Sequence, residues 1–394
     1  MGAFTALWSE VIKKGLCTAC GTCIGVCPRG SIIFDFELEH PRLMGECEGR
    51  CSICYDVCPG KDVPLPDLDR MVFGRERDVV RENAGISRSY FKGYASDPEI
   101  RAVGTSGGCS SALLIYMLKE GIIDCAVVAG MSRGNPWRAE SRIATTATEV
   151  MDAAKSKYVI FPHNAALSEV AKGNFRKVGF IGLPCHVQAV RKIQLLGKPR
   201  KVSERIKFVL GIVCAWNFSF KATEHMVREG ANIASLDEVT ELLYRGKREN
   251  TGTEITTRSG RTVTISETER RRYSFGFIRD RCLMCYDWAA ELADISLADL
   301  YDATGTYKTP SWSTIAVRTK IGDRLVKEAV RAGYIKLFPI EETSFLTNVG
   351  FEWKKHGSVH RLIERRNFGW PTPNYGYQVP PPKPILFKAK HASK

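Results

Sequence analysis

The sequence of 394 residues lacks any hydrophobic run long enough to cross a lipid bilayer. It also lacks the apolar core of a signal peptide, because Glu10, Lys13 and Lys14 interrupt its first sixteen residues. N-terminal myristoylation is not expected either, since Ala6 stands where Ser or Thr is required. These absences predict a cytoplasmic protein whose cysteine thiols stay reduced.

Patterns of nucleic-acid recognition are absent as well. The net charge is +14, yet no RNP, KH or C2H2 zinc-finger pattern accompanies it. The charge is therefore compatible with an acidic small substrate, an anionic surface or a basic, solvated exterior. The GxGxxG fingerprint of a Rossmann dinucleotide site is also missing. A hydrophobic fraction of 44% and a charged fraction of 25% are typical of a globular protein, here with room for two or three domains.

Cysteine, by contrast, is abundant: eight of the fourteen cysteines lie between residues 17 and 58. The run at 17–28 has the C-x2-C-x2-C-x3-C-P spacing of ferredoxins that bind [4Fe–4S] clusters, and the run at 47–59 repeats it with one extra residue before Cys51. In two-cluster ferredoxins, the fourth cysteine of each run binds the other cluster. We therefore predict one cluster on Cys17, Cys20, Cys23 and Cys58, and a second on Cys27, Cys47, Cys51 and Cys54.

Two other interpretations compete with iron–sulfur clusters. A disulfide scaffold is typical of small secreted domains, whereas this chain is long and has no secretory signal. Paired zinc sites need four close ligands each, and a doubled C-x2-C-x2-C-x3-C-P run is unusual for zinc. The spacing favours two [4Fe–4S] clusters.

We expect three parts along the chain. The first is a ferredoxin-like domain over 1–85, with a short helix at 8–14, a strand at 31–36 and a Pro- and Asp-rich linker at 61–69. A mixed α/β domain follows over 86–340. The remaining residues, 341–394, form a basic extension that we interpret as a partner-docking arm, extended or disordered from Pro380 onward.

The glycine-rich stretch Gly104-Thr-Ser-Gly-Gly108 opens the second part, before an apolar helix predicted at 109–119 and a strand at 125–129. Glycines let the backbone approach a ligand closely, and a helix N-terminus offers free N–H groups. The pattern indicates an anion site or, equally, a plain tight turn before a helix. We expect further helices at 145–154 and 164–172, separated by a loop at 155–158.

A β–α–β unit comes next, with strands at 177–183 and 206–213 and a helix at 186–196, so the two strands should be parallel. Cys185 and Cys214 then stand at the carboxyl ends of these strands, where open α/β sheets place their ligands. Further elements are predicted as an antiparallel β insert at 240–265, strands at 293–297 and 312–319, and an amphipathic helix at 321–332.

Four remaining cysteines can form a third centre: Cys185, Cys214, Cys282 and Cys285. Four thiolates brought together from separate parts of the chain are what a cubane inside a domain needs. For Cys109 and Cys125, which lie on an apolar helix and strand, we expect a structural role, because a buried cysteine behaves as a small hydrophobe.

Seven short stretches make the sequence recognisable: Thr105-Ser-Gly-Gly108, Lys155-Ser-Lys-Tyr158, Gly182-Leu-Pro-Cys185-His-Val-Gln188, Gly211-Ile-Val-Cys214, Cys282-Leu-Met-Cys285, Ala293-Asp-Ile-Ser296 and Val317-Arg-Thr319. Together they resemble the coenzyme F420 hydrogenase/dehydrogenase beta-subunit family, over residues 90–330. The ferredoxin-like front end is similar to that of members such as the F420H2 dehydrogenase input subunit and formate dehydrogenase beta subunits.

The resemblance implies an α+β or α/β fold, in which a mixed α/β flavin domain that is not a Rossmann fold follows the two-cluster ferredoxin-like domain. It implies FAD, a [4Fe–4S] cluster beside the flavin on Cys185, Cys214, Cys282 and Cys285, and a pocket for coenzyme F420. With the N-terminal pair this makes three clusters. The residues implied for cofactor binding are Thr105, Ser106, Gly107, Gly108, Ser156, Lys157, Tyr158, Pro184, His186 and Gln188.

The implied function is that of an F420-dependent oxidoreductase subunit in a larger redox complex of archaeal energy metabolism. F420 exchanges a hydride, clusters carry single electrons, and FAD converts between the two, so no catalytic side chain is expected. The partner subunits would be of the hydrogenase, formate, formylmethanofuran, carbon monoxide or membrane dehydrogenase type. Lys155, Lys157, Arg191 and Lys192 are candidates for binding the anionic tail of F420, or else solvated charges.

Two alternative functions would explain some of the same sequence features. One is a ferredoxin-dependent flavin reductase of the 7-hydroxymethyl chlorophyll reductase type, which a built-in ferredoxin-like domain disfavours. The other is an electron-transfer adaptor without flavin, which the stretches at 105–108 and 155–158 disfavour.

Overall fold

The computed structural model describes residues 2–47, 49–82, 84–246, 252–301 and 311–378. Three sheets hold the strands: β1 Ile32–Asp35, β2 His40–Leu43, β3 Ser89–Ala95, β4 Cys125–Met131, β5 Ala139–Ala144, β6 Val178–Gly182, β7 Ile206–Ile212, β8 Val239–Leu243, β9 Thr253–Thr257, β10 Thr262–Ile265, β11 Ile295–Asp299, β12 Ser313–Val317 and β13 Ile335–Pro339.

The helices are α1 Ala3–Leu7, α2 Thr22–Gly25, α3 Ile53–Asp56, α4 Leu65–Phe73, α5 Pro98–Val103, α6 Cys109–Lys119, α7 Ala147–Asp152, α8 Leu167–Lys172, α9 Pro184–Leu196, α10 Arg200–Arg205, α11 Phe220–His225, α12 Glu267–Ser274, α13 Asp280–Leu283, α14 Lys320–Arg331, α15 Glu342–Asn348 and α16 Phe351–Asn367. Short 3-10 or π turns occur at Trp8–Ile12, His163–Ala166, Met226–Gly230, Leu236–Glu238 and Phe275–Phe277. None of the helices in the described part of the chain is both long and apolar enough to span a membrane.

The central sheet has eight strands in the order β13-β3-β12-β11-β7-β6-β4-β5. Its middle strands β4, β6, β7 and β11 run parallel, and the strands at both edges are antiparallel. The predicted β–α–β unit is confirmed, because β6 and β7 are parallel neighbours joined by α9. The predicted insert is confirmed as the antiparallel sheet β10-β9-β8. The mixed α/β class follows from this topology.

Helix α6 begins against the central sheet, and its glycines make this possible. A Cβ atom on Gly107 would lie 2.5 Å from the carbonyl oxygen of Gly93 in β3 and 2.7 Å from the nitrogen of Ser313 in β12. Any larger residue would therefore push the loop off the sheet. The helix itself is apolar on nearly all sides and is buried over most of its length, as a core helix should be.

The N-terminal cysteine runs pack directly on the α/β domain. One apolar cluster contains Val57 and Leu65 from the N-terminal part, Val178 and Val209 from the sheet, and Leu362 from α16. The contact is close at Gly25, where a Cβ atom would lie 2.1 Å from the carbonyl oxygen of Asn164. The division into parts at residues 85 and 340 stays a prediction.

Two local predictions were wrong in part. The helix predicted at 8–14 is present as the π-helical turn Trp8–Ile12, but it continues α1, which begins at Ala3, since Phe4 and Leu7 are already buried there. The segment interpreted as a linker at 61–69 enters helix α4 at Leu65, because proline is tolerated in the first helical turn and Leu68 is fully buried. The tail predicted from Pro380 lies outside the described residues.

Candidate functional site

A cavity of about 1230 Å³ opens at the carboxyl ends of the four parallel strands β4, β6, β7 and β11. Those ends contribute Ala129, Gly182, Val213 and Asp299 to its wall. Seven of the residues implied for cofactor binding line it: Thr105, Ser106, Gly108, Ser156, Lys157, Tyr158 and His186. The cavity therefore lies at the sheet edge where α/β proteins bind ligands.

The loop before α6 and the loop at 155–158 meet in one wall of the cavity. The Ser156 N–H donates to Oγ1 of Thr105 at 2.8 Å, and Oγ of Ser156 lies 3.2 Å from the same oxygen. Gly108 caps α6 with a φ of +73° and has no side chain to accept from the first N–H groups of the helix. The N-terminus of α6 thus faces the cavity with donors available to an anion.

Lys157 does not project freely into this cavity. Its Nζ donates to the carbonyl oxygens of Ala153 and Ala154, both at 2.6 Å, and to that of Lys155 at 2.8 Å. Desolvation of the ammonium, with smaller effects of Arg142 and Lys155, lowers the pKa of Lys157 to about 7. The side chain therefore holds the 153–157 loop in shape, and its charge at neutral pH is partial.

Two buried histidines, His163 and His186, lie side by side in the cavity wall, with ring centroids 4.9 Å apart. Nε2 of His163 lies 2.7 Å from the Ile181 carbonyl and so donates to it, which leaves Nδ1 as an acceptor with no partner. His186 accepts the Leu183 N–H at Nδ1. Burial lowers the pKa of both residues, that of His163 to about 4, so both rings are neutral at pH 7.

Two arginines that the sequence did not single out lie next to Tyr158 in the cavity wall: Arg270 of α12, which lines the cavity, and Arg245, which follows β8. Arg270 lies over the Tyr158 ring at 4.2 Å, and its buried Nε has no hydrogen-bond partner. Arg245 donates to the Tyr158 hydroxyl at 3.2 Å and contacts the Asp299 carboxylate at 3.3 Å. Burial raises the pKa of Asp299, against the lowering effect of Arg245. The only sequence signal for Arg270 was its place in a run of arginines at 270–272.

An aromatic wall closes another side of the cavity. The ring centroid of Trp216 lies 5.0 Å from that of Trp353 in α16 and 5.6 Å from that of Phe275, and all three residues line the cavity. Aromatic faces of this kind pack well against planar ring systems. Trp216 lies two residues after Cys214, and this closeness in the sequence is a signal that could have found it. Nothing in the sequence connects Trp353 with the site.

The N-terminal thiols fall into two groups by their mutual charge effects. Burial and then Cys20, Cys17, Cys58 and Cys54 raise the pKa of Cys23. Burial and then Cys47, Cys51 and Cys27 raise the pKa of Cys54 to about 12. These effects link Cys23 mainly with the first predicted set and Cys54 with the second, although Cys54 also acts on Cys23. The two ligand sets stay a prediction.

The third set also assembles. Burial, followed by the charges of Cys20, Cys214, Cys282 and Cys285, raises the pKa of Cys185 well above that of a free thiol. Cys214 itself lines the cavity. Cys214 thus borders the cavity, and Cys185 lies near enough to Cys20 for the charge of Cys20 to raise its pKa.

Asn164 connects the first and third cysteine sets. Its N–H donates to the Cys20 carbonyl at 2.8 Å, and its side-chain amide donates to Thr22 Oγ1 at 2.9 Å and to the His186 carbonyl at 3.1 Å. The side chain is fully buried. One residue thus holds the loop after Cys20 against the start of α9, which contains Cys185.

Within the described ranges, no three or more His, Cys, Asp or Glu side chains are close enough together to hold a single metal ion. A tetrahedral zinc site brings four ligands to within about 2.3 Å of one ion. A cubane places its thiolates on separate iron atoms and so spaces them more widely. The preference for clusters over zinc therefore rests on the spacing of the cysteines along the chain.

Several residues proposed for the cofactor site do not line the cavity: Gly107, Pro184, Gln188, Arg191 and Lys192. Gln188 donates to Asp287 at 3.1 Å. Arg191 donates to the Leu292 carbonyl at 2.8 Å, and Lys192 to the Cys58 carbonyl at 2.8 Å. These side chains join elements behind the cavity. Lys155 lines the cavity, but its Nζ donates to the Gly246 carbonyl at 2.7 Å.

Two family models match the chain. The coenzyme F420 hydrogenase/dehydrogenase beta subunit N-terminal model matches residues 90–168, and the C-terminal model of the same family matches residues 175–343. The cavity and the third cysteine set lie largely within these matches. The N-terminal cysteine runs and α16 lie outside them.

Individual proteins resemble the chain over most of its length. The beta subunit of coenzyme F420 hydrogenase from Methanosarcina barkeri is 33% identical over 283 residues, 70% of this chain and 91% of that subunit. The coenzyme F420-dependent sulfite reductase of Methanocaldococcus jannaschii is 28% identical over 82% of this chain, which corresponds to 47% of that protein. A chain of the F420-reducing [NiFe] hydrogenase complex from Methanosarcina barkeri, solved as a xenon derivative, matches with a TM-score of 0.60 and 28% identity, over 75% of this chain and 97% of that chain.

Proposed function

The chain belongs to the coenzyme F420 hydrogenase/dehydrogenase beta-subunit family, and from this premise we propose that it is the F420-linked oxidoreductase subunit of a larger redox complex. It would move electrons between coenzyme F420 and an iron–sulfur chain through FAD. The named relatives are an F420 hydrogenase subunit and an F420-dependent sulfite reductase, which supports an F420-linked redox role. A cytoplasmic location remains part of the proposal.

The cavity fits two ring systems better than one. Typical small-molecule pockets have roughly 300–1,000 Å³, and this one has about 1230 Å³. The uncapped start of α6 and the unpartnered Nε of Arg270 offer N–H donors to phosphate groups, and the unpartnered Nδ1 of His163 offers an acceptor. The wall of Trp216 and Trp353 offers aromatic faces to a flat ring. When bound, FAD would supply the conversion between hydride and single-electron transfer.

The observation that carries the proposal is the position of Cys214 in the cavity wall. The third set would hold a [4Fe–4S] cluster beside the cavity. Asn164 fastens this set to the loop of Cys20, whose own set would hold the next cluster. The set around Cys54 completes the series of three. The proposal thus combines a ligand in the cavity and single-electron carriers in one chain.

The test begins with anoxic purification and the visible spectrum. Three cubanes require about twelve irons per chain, together with released FAD. The absorption of oxidised F420 should appear when F420H2 and an artificial one-electron acceptor are supplied. It should be bleached when F420 and a reduced one-electron donor are supplied. Bound flavin without F420 turnover would refute F420 as the substrate. Absence of flavin would favour the flavin-free electron-transfer adaptor. Zinc in amounts that match the cysteines would refute the iron–sulfur clusters.

A matched pair of variants tests the cavity itself. Arg270→Met should raise the KM for F420 or lower the FAD content about tenfold or more, since a buried charged donor to phosphate is worth about 1.5–3 kcal/mol. Arg272→Met removes the same charge two residues away on an exposed side chain outside the cavity wall, and should leave both unchanged. Equal behaviour of the two variants would argue against a ligand at Arg270.

A further inference from the structure

The C-terminal helix α16 buries a lysine against the third cysteine set. Lys354 is 2% exposed, and its Nζ donates to the carbonyl oxygen of Cys282 at 2.8 Å. Burial lowers the pKa of Lys354, and the neighbouring Cys285, Cys282 and Cys214 act against that lowering. This helix lies beyond residue 343, where the family match ends.

The helix is held firmly in this position. Before it begins, the Val349 carbonyl accepts a hydrogen bond from Nε1 of the buried Trp288 at 2.9 Å. Near its end, Arg365 donates to Asp280 at 2.8 Å, at the start of the short helix that contains Cys282. Both ends of α16 are thus attached to the segment that supplies two of the four cysteines. The position of Lys354 is set by these contacts.

The surroundings of Lys354 differ from those of its neighbour. Lys355 contacts the Glu291 carboxylate at 2.9 Å. In the part of the chain that the structure describes, Lys354 makes no ion pair with a carboxylate. A buried charge is costly unless an opposite charge compensates it, and a cluster on the adjoining cysteines would supply that opposite charge to Lys354. Arg281 is the other buried cation here, and it donates to the Tyr375 hydroxyl at 3.2 Å.

We propose that Lys354 is a positioning residue of the electron path: its charge stabilises the reduced state of the cluster held by Cys185, Cys214, Cys282 and Cys285. This inference rests on the proposed function, because that function places a cluster there. On reduction, one electron enters the cluster and no bond forms or breaks, so the negative charge on the set grows by one. A fixed cation in a low-dielectric environment favours that added charge and raises the reduction potential.

The position also gives the effect a direction. Nζ of Lys354 lies 5.3 Å from the ring of Trp216, and Trp216 lines the cavity. The positive charge is therefore on the side of the cysteine set that faces the cavity. A raised reduction potential of this cluster would favour the reduced state of the cluster over that of a cofactor in the cavity.

The test is an EPR-monitored redox titration of the full-length holoprotein. Lys354→Gln retains an N–H donor but removes the charge, and should shift one of the three cluster potentials to a more negative value. Lys354→Arg retains the charge and should leave that potential close to wild type. Lys327→Met, which removes an exposed lysine of α14 far from the cysteines, is the control and should change none of them.

Iron content makes each outcome decisive. Full iron in Lys354→Gln with all potentials unchanged would overturn the proposal. Loss of about four irons in Lys354→Gln but not in Lys354→Arg would support it, because the charge then stabilises the cluster itself. The same loss in both variants would overturn it, since the contact with the Cys282 carbonyl would then matter rather than the charge. Wild-type protein without a third cluster would instead refute the proposed function.

Discussion

Glu291 is the central acid of a buried ionic group that joins three parts of the chain. Its carboxylate contacts Lys355 of α16 at 2.9 Å and pairs with Arg77, and Arg77 in turn contacts Asp69 at 2.7 Å. All four side chains are less than 5% exposed. Two positive and two negative charges balance here. We predict that Glu291→Gln destabilises the protein strongly, because it leaves one excess positive charge in the interior.

The expected loss is about 3–5 kcal/mol, the cost of removing one member of a buried ion pair. Glutamine keeps the volume of the side chain, so the change reports charge rather than a cavity. Burial by itself raises the pKa of Glu291, but Lys355 and Arg77 together hold it below its usual value. The stabilisation is therefore present above the unfolded pKa of glutamate and is lost as the pH falls through the lower folded pKa. The gap between wild type and variant should narrow in acid.

The assay is anoxic urea unfolding followed by circular dichroism, with wild type, Glu291→Gln, Lys355→Met and the double variant. The double variant should be more stable than the sum of the single losses predicts, since it removes both charges of one pair. The exposed pair Arg200–Glu204, at 2.6 Å, supplies the control. Glu204→Gln should change stability by less than about 0.5 kcal/mol. A loss in Glu291→Gln as small as in that control would refute the role of the buried group.

Three further predictions concern the cavity and the cysteine sets. The pKa of Lys157 in the folded protein is about 7, below its value in the unfolded chain. The unfolded chain therefore binds more protons above pH 7, and the free energy of unfolding should rise between pH 7 and 10, by at most about 1.4 kcal/mol per pH unit. Lys157→Met should flatten this slope in urea unfolding at a series of pH values. Gly25→Ala would place a Cβ atom 2.1 Å from the Asn164 carbonyl oxygen and should lower the free energy of unfolding by about 1–3 kcal/mol, with loss of iron. Gly357→Ala, with open space around it, is the control and should not. Equal stability of the two variants would contradict the close packing of the cysteine run. Cys185→Ser should lose about four of twelve irons, measured by a colorimetric iron assay. Cys125→Ala changes a residue of the apolar core and should lose none. Retention of all iron in Cys185→Ser would show that Cys185 is not a cluster ligand.

Local signals predicted much of the fold because they depend on neighbouring residues. Helix α6 has the predicted bounds. The β–α–β unit around α9 was predicted from continuous apolar runs, which are typical of parallel strands covered on both faces. The segment at 61–69 was misjudged for the opposite reason. Its prolines suit a linker or a first helical turn equally, and the burial of Leu65 and Leu68, which decides between them, comes from distant residues.

The sequence by itself determined the family and the sheet edge at which the cavity opens, and it predicted the two N-terminal cysteine sets. These rest on spacing along the chain, and spacing restricts which thiols can surround one cluster. Only the tertiary structure decided what lies around that site. The contacts of Asn164, the position of Arg270 and the burial of Lys354 join residues separated by scores of positions, and no local pattern records such long-range contacts. The extension after residue 340 shows this most clearly, because its helix α16 forms part of the cavity wall and places a charge beside the third cysteine set.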